Sequence, residues 1–146
     1  VIANDNRSAQ VVISGNPEAV KSVSERLTCK RAIPLAVCGA FHSPLMAEAA
    51  AAFKVHLESL AFEDARFPVL SNTDPTPCSD ASQLKQRLSQ QMTTGVRWRE
   101  TMETLTSAGV DTLIEVGPGN VLSGLAKRAM SGVTTVQLSS SADLGL

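Results

Sequence analysis

An α/β fold in which strands and helices alternate is predicted by three features of this chain. Short apolar runs at residues 10–15, 32–38, 67–72 and 111–116 have the composition and length of strands. Helix-start signals follow several of them, with Asn, Ser or Asp at the cap and Pro in the first turn. The 146 residues are 43% hydrophobic and 18% charged, enough apolar matter for a core. Strands that alternate with helices imply parallel pairing.

Taken in order, residues 10–15 form a β-branched run that stops at Gly15 and read as a buried strand. Asn16-Pro17-Glu18 then supplies a cap, a first-turn proline and a first-turn acid for a helix. That helix carries Val20, Val23 and Leu27 on one face and is expected to end near residues 29–31, before a second strand at 32–38. Ser43 caps an Ala-rich helix that begins at Pro44 and runs to about Leu60, with Leu45, Ala49, Ala52 (or Phe53), His56 and Leu60 at helical spacing. A strand at 67–72 is closed by a loop over 73–77, which holds two prolines. Ser79 or Asp80 opens a polar helix through residue 92. A further helix spans 98–107 and is ended by Ala108-Gly109. A strand at 111–116, a tight turn at Gly117-Pro118-Gly119 and a helix over 120–130 follow. One more strand is expected at 133–138, and the Ser-rich tail reads as loose. No internal repeat or linker is visible.

Composition excludes several functions. Thirteen Lys and Arg against fourteen Asp and Glu leave a net charge of −1, without the basic excess of a nucleic-acid binder. Aromatics are 3%, too few for a base-stacking platform. No apolar run approaches the roughly 18 residues of a membrane span. Cys29, Cys38 and Cys78 form no CxxC pair, and neither histidine lies at metal-ligand spacing from them. Neither a disulfide framework nor a metal site is expected, and a reducing, cytoplasmic setting fits. The opening Val1-Ile2-Ala3-Asn4 is neither an initiator Met nor a signal peptide, and reads as a chain cut from something longer.

Among residues that could carry chemistry, His42 stands out. It lies just before the Ser43 cap, at the mouth of a helix that follows a strand, a position open to a general base for a Ser or Cys nucleophile. A histidine that merely caps a turn would sit in the same place. His56, in mid-helix, reads as structural. No serine occupies a Gly-x-Ser-x-Gly elbow, and Cys38, four residues before His42, lacks a cationic activator. Asp74 and Glu115 are possible carboxylate partners for the imidazole, although nothing in the spacing selects either. Gly117-Pro118-Gly119 could offer backbone N–H groups to an anion, but it has neither a dinucleotide fingerprint nor a P-loop lysine; a simple strand-to-helix turn is the commoner meaning. Lys127-Arg128, at a helix C-terminus, either relieve the helix dipole or dock an acidic partner.

Three stretches in register carry a resemblance: Val1-Ile2-Ala3-Asn4-Asp5-Asn6 with Gln10-Val11-Val12-Ile13-Ser14-Gly15, then Gly39-Ala40-Phe41-His42-Ser43-Pro44-Leu45-Met46, then Glu115-Val116-Gly117-Pro118-Gly119. Together they resemble the C-terminal half of malonyl-CoA:acyl-carrier-protein transacylases, and the likeness covers essentially the whole chain. Acyltransferase domains of polyketide and fatty acid synthases look similar. The resemblance implies an α/β-hydrolase-like large subdomain carrying an inserted ferredoxin-like small subdomain. Residues 1–38 would belong to the small subdomain and 39–146 to the C-terminal part of the large one. It further implies ping-pong transfer of malonyl from coenzyme A to a serine and then to the phosphopantetheine thiol of acyl carrier protein, in fatty acid biosynthesis. No cofactor is implied; malonyl-CoA is a substrate, and the phosphopantetheine is carried by the acceptor protein.

Residue by residue, His42 matches the family's catalytic histidine, and Gln91 falls where a glutamine backbone carbonyl holds the other imidazole nitrogen. Phe41 matches a position where a bulky ring accompanies malonyl rather than branched acyl groups. Asn4 or Asn6 would lie near the cleft. Lys127 and Arg128 match basic residues at its entrance, contacts for coenzyme A phosphate or the acidic carrier. The family's Gly-His-Ser-x-Gly elbow, oxyanion-hole glutamine and malonyl-binding arginine are absent from this sequence and would lie upstream of Val1. The chain is therefore expected to need the N-terminal half of the same enzyme, to be inactive alone, and to fold poorly with sheet edges exposed. The alternatives are an inactive, truncated acyltransferase that binds a carrier or partner, a polyketide synthase acyltransferase domain, and a hydrolase using Cys38 and His42.

Overall fold

The computed structural model describes residues 1–145. The chain opens with an antiparallel hairpin of β1 (Ile2–Arg7) and β2 (Gln10–Ile13), which leads into α1 (Pro17–Arg26). After an irregular stretch, a 3-10 turn at Pro44–Met46 feeds α2 (Ala47–Glu58). A second antiparallel hairpin, β3 (Val69–Ser71) and β4 (Asp74–Cys78), precedes α3 (Ala81–Gln90) and α4 (Trp98–Ser107). The last unit is β5 (Thr112–Val116), α5 (Val121–Ala129) and β6 (Thr134–Leu138), with β5 and β6 paired in parallel over five residues. The α/β class holds, but among the described residues only one of the three strand pairs is parallel. The connections explain the difference: tight turns join β1 to β2 and β3 to β4, whereas a helix joins β5 to β6.

Local chemistry accounts for the helix starts. Asn16 Oδ1 accepts from the backbone N–H groups of Glu18 and Ala19, with Pro17 as the first helical residue. Ser43 Oγ accepts from Leu45 N–H, again with proline next. Asp80 Oδ1 accepts from Gln83 N–H at 2.8 Å. At the other end of α2, Lys85 donates from Nζ to the Leu60 carbonyl at 2.8 Å and lies over the Phe62 ring.

Several sequence expectations are corrected. Residues 32–38 form no strand; Ile33, Leu35 and Val37 are exposed and have no partner strand beside them. The 10–15 run forms a strand only to Ile13 and contains no buried residue. The α1 helix stops at Arg26 rather than near 29–31, and none of its residues is buried. Most of the expected 73–77 loop lies in β4 (Asp74–Cys78), which tolerates Pro75 and Pro77 because a two-stranded hairpin leaves one edge unpaired. The α3 helix ends at Gln90, short of 92. The inward face of α2 runs through Ala50, Phe53 and Leu57; of the expected line Leu45, Ala49, Ala52 (or Phe53), His56 and Leu60, Phe53 lies on it and the others are exposed. An Ala-rich segment has little contrast between faces, and the tighter 3-10 turn ahead of it advances the phase. The tail is not loose: Ser141–Leu144 form a 3-10 turn, with Asp143 accepting from the N–H groups of Ser139 and Ser140.

The core gathers where α4, β5, α5 and β6 meet. Met102, Ala126 and Met130 are buried, with Trp98, Leu105, Val110, Leu113 and Val133 packed around them. The strand β5 turns Leu113 and Glu115 inward and leaves Ile114 and Val116 on the other face at 58% and 78% exposure. Among the described residues, no helix is long and apolar enough to cross a membrane, and no group of His, Cys, Asp and Glu could hold a metal ion.

Candidate active site

His42 sits at the junction between the irregular stretch and the Ser43 cap, with φ +60, the left-handed region that a non-glycine residue seldom adopts. Three carbonyls beyond the end of α3 hold it there. Its backbone N–H donates to Met92 O at 2.9 Å, and Nδ1 lies 2.7 Å from Gln91 O and 3.2 Å from Thr94 O. A carbonyl oxygen can only accept, so Nδ1 carries the hydrogen and the lone pair of the neutral ring resides on Nε2. Ser43, almost fully buried, donates from Oγ to Ala40 O at 2.6 Å and so pins the backbone on the other side of the histidine.

The turn that supplies these carbonyls is anchored to β1. Val96 N–H donates to Ala3 O at 2.7 Å, and Asp5 N–H donates to Val96 O at 2.8 Å, an isolated parallel bridge at Asn4. Gly95 permits the approach: a Cβ there would stand 2.8 Å from the Ile2 carbonyl oxygen. On the far side, Arg97 N–H donates to Asn72 O, and its guanidinium grips Glu100 through two hydrogen bonds.

Phe41 is exposed beside His42, its ring lying over Gly39. Asn4 reaches the site region through the backbone bridge to Val96, and Asn6 lies two residues further along β1; both are half-buried. Lys127 and Arg128, exposed in the last turn of α5, line an open groove of about 480 Å³ with Gln10, Asn120, Ser123 and Gln137; His42, Phe41 and Gln91 do not line it.

Neither carboxylate considered for His42 is its partner. Asp74 caps its own turn at Thr76 N–H and pairs with Arg87 at 2.9 Å; the Thr76 hydrogen bonds, with the nearby Arg87 charge, hold its carboxyl below the usual range. Glu115 reaches across Gly117-Pro118-Gly119 to accept from Leu122 N–H at 3.1 Å and Ser123 N–H at 2.8 Å. Its hydrogen bonds, those from Ser123 foremost, lower its pKa. Gly117-Pro118-Gly119 is thus a strand-to-helix turn, and the anion at the start of α5 is the chain's own Glu115 side chain. Thr94 and Met92 escaped the sequence reading because they act through backbone carbonyls, which no residue type announces.

No protein-family model matches the chain. A curated relative from Synechocystis sp. (strain ATCC 27184 / PCC 6803 / Kazusa), malonyl CoA-acyl carrier protein transacylase, is 50% identical over 128 residues, 88% of this chain and 44% of the relative. The matches align to the C-terminal half of such relatives. The chain is homologous to the C-terminal half of malonyl CoA-acyl carrier protein transacylases. The crystal structure of the Synechocystis sp. PCC 6803 malonyl-CoA:ACP transacylase superposes with a TM-score of 0.93 at 46% identity, covering 99% of this chain and 50% of that one. A malonyl-transacylase in complex with its type II PKS acyl-carrier protein gives 0.88 at 38% identity, covering 98% and 47%. The chain thus spans about half the length of the transacylases it matches.

Proposed function

We propose that this chain provides the histidine half of a malonyl-transfer site, with malonyl-CoA as donor and the phosphopantetheine thiol of acyl carrier protein as acceptor. The observation that carries the reading is the Nδ1–Gln91 carbonyl contact, which fixes the tautomer and leaves Nε2 free to accept a proton. In the first half-reaction, Nε2 takes the proton of a serine lying outside this chain as its oxygen attacks the malonyl thioester carbon. The carbon–sulfur bond breaks, and the imidazolium returns the proton to the leaving coenzyme A thiolate. In the second half-reaction, Nε2 takes the proton of the carrier thiol as sulfur attacks the serine ester, then returns it to the serine oxygen.

Homology at 50% identity supports the assignment of donor and acceptor. Within this reading, Phe41 shapes the acyl pocket, Asn4 and Asn6 border the cleft, and Lys127 and Arg128 meet coenzyme A phosphate or the acidic carrier. Residues 1–38 belong to the small subdomain, and 39–146 to the large one. The apolar outer face of β5, with Ile114 and Val116 uncovered, is where the N-terminal half of the same enzyme packs, because a parallel pair is ordinarily covered on both faces. The reaction serves fatty acid biosynthesis in the cytoplasm.

Fusing the N-terminal portion of the Synechocystis relative to this chain supplies a nucleophile for the test. The fusion should transfer malonyl from malonyl-CoA to carrier protein, and His42→Ala within it should slow transfer by about 10²–10⁴-fold. A fusion that folds by circular dichroism yet takes up no malonyl, or one whose His42→Ala variant keeps its rate, overturns the reading.

A further inference from the structure

We infer that the Arg99–Asp5 ion pair is a positioning device for the His42 ring, acting through β1 and the turn that follows α3. The inference rests on the reading of His42 as the proton acceptor. Asp5 is tied at two places. Its backbone N–H donates to Val96 O at 2.8 Å, and its carboxylate accepts from Arg99 Nε at 3.0 Å with Nη2 at 2.9 Å. Arg99 Nη1 donates to Glu103 at 2.9 Å, which orients the guanidinium so that its remaining edge faces Asp5. These contacts join residues 94 apart in sequence.

From Asp5 the linkage continues through backbone alone. Val96 is buried and hydrogen-bonded on both sides to β1, at Ala3 and Asp5, and Gly95 has no room for a Cβ beside the Ile2 carbonyl, so β1 and the turn are held together. Thr94, the next residue, is one of the two carbonyls that accept from His42 Nδ1. The Asp5 and Arg99 side chains are 30% and 38% exposed, so the pair is partly shielded from water. Loosening the pair frees the hairpin on one side of the turn, and the carbonyls at 91 and 94 lose their fixed spacing against the imidazole.

Long-range proton–nitrogen NMR of the imidazole in the labelled chain tests this directly. The unaltered chain should give the Nδ1–H pattern for His42. Arg99→Met should shift it toward the Nε2–H form and speed amide exchange at Val96 and Asp5 roughly two- to five-fold, the range set by an ion pair of this exposure. Asp5→Asn should do the same, the double variant should add nothing further, and Arg99→Lys should restore the Nδ1–H pattern. Faster exchange with an unchanged imidazole pattern, or no change in either, overturns the inference and makes the pair structural. Should Arg99→Met lose its fold, Asp5→Asn and Arg99→Lys carry the test. The functional reading fails separately, if His42→Ala leaves the fusion's transfer rate intact while the imidazole pattern still follows Arg99.

Discussion

Residues 98–138 and residues 10–38 both alternate strand, helix and apolar run, yet the first region has a core and the second has none. In the first, Met102 of α4, Ala126 of α5 and Met130 just past its end pack against one another, and β6 pairs with β5 along its whole length. In the second, no residue from 10 to 38 is buried, and the apolar run at 32–38 has no strand beside it. The helix α1 nevertheless forms, because its cap and first-turn proline act locally. Local signals are thus sufficient for a helix. A strand needs a neighbour, and an apolar face needs a second surface.

Substitutions on the two sides sharpen this contrast. Met102→Ala removes a fully buried side chain from the core and should lower unfolding stability by about 2–5 kcal/mol in urea titrations. A cost below about 1 kcal/mol there would mean that the 98–138 unit does not hold the fold together. Glu115→Gln should have a smaller effect, and one that depends on pH. The folded-state pKa of Glu115 lies below its ordinary value, so its contribution is complete above that value and lost as pH falls through the depressed one. The variant should be less stable than the parent at neutral pH, with the gap closing in acid; a gap that persists in acid would assign the effect to packing. Least of all, Val23→Ala on α1 should fall within about 0.5 kcal/mol of the parent. A larger loss would reveal a surface covering α1.

The same distinction explains what could be read in advance. The starts of α1, of the 3-10 turn that feeds α2, and of α3 are visible because Asn16, Ser43 and Asp80 cap with their own side chains. The start of α5 is visible from the Gly117-Pro118-Gly119 turn, but its cap is not, since Asn120 makes no side-chain cap and Glu115 supplies one from the preceding strand. The strand β1 is hidden by Asn4-Asp5-Asn6, poor strand formers held extended by β2 and Val96, and β4 is hidden by its prolines. At the site, His42 is visible as a residue before a cap, and its neighbour at residue 91 becomes visible only through family resemblance. The carbonyls of Met92 and Thr94 depend on where α3 ends, a boundary that falls two residues earlier than the polar pattern suggests.

The left-handed backbone at His42 has a consequence for any library randomised at that codon. Two filters act on one position: the bend admits glycine most readily and disfavours β-branched side chains, whereas the proposed proton transfer demands an imidazole. Sorting such a library for soluble yield would therefore enrich glycine, while sorting it within the fusion for malonyl transfer would enrich the parent. The two enrichment profiles, taken together, separate what the chain requires of residue 42 as a hinge from what the reaction requires of it as a reagent.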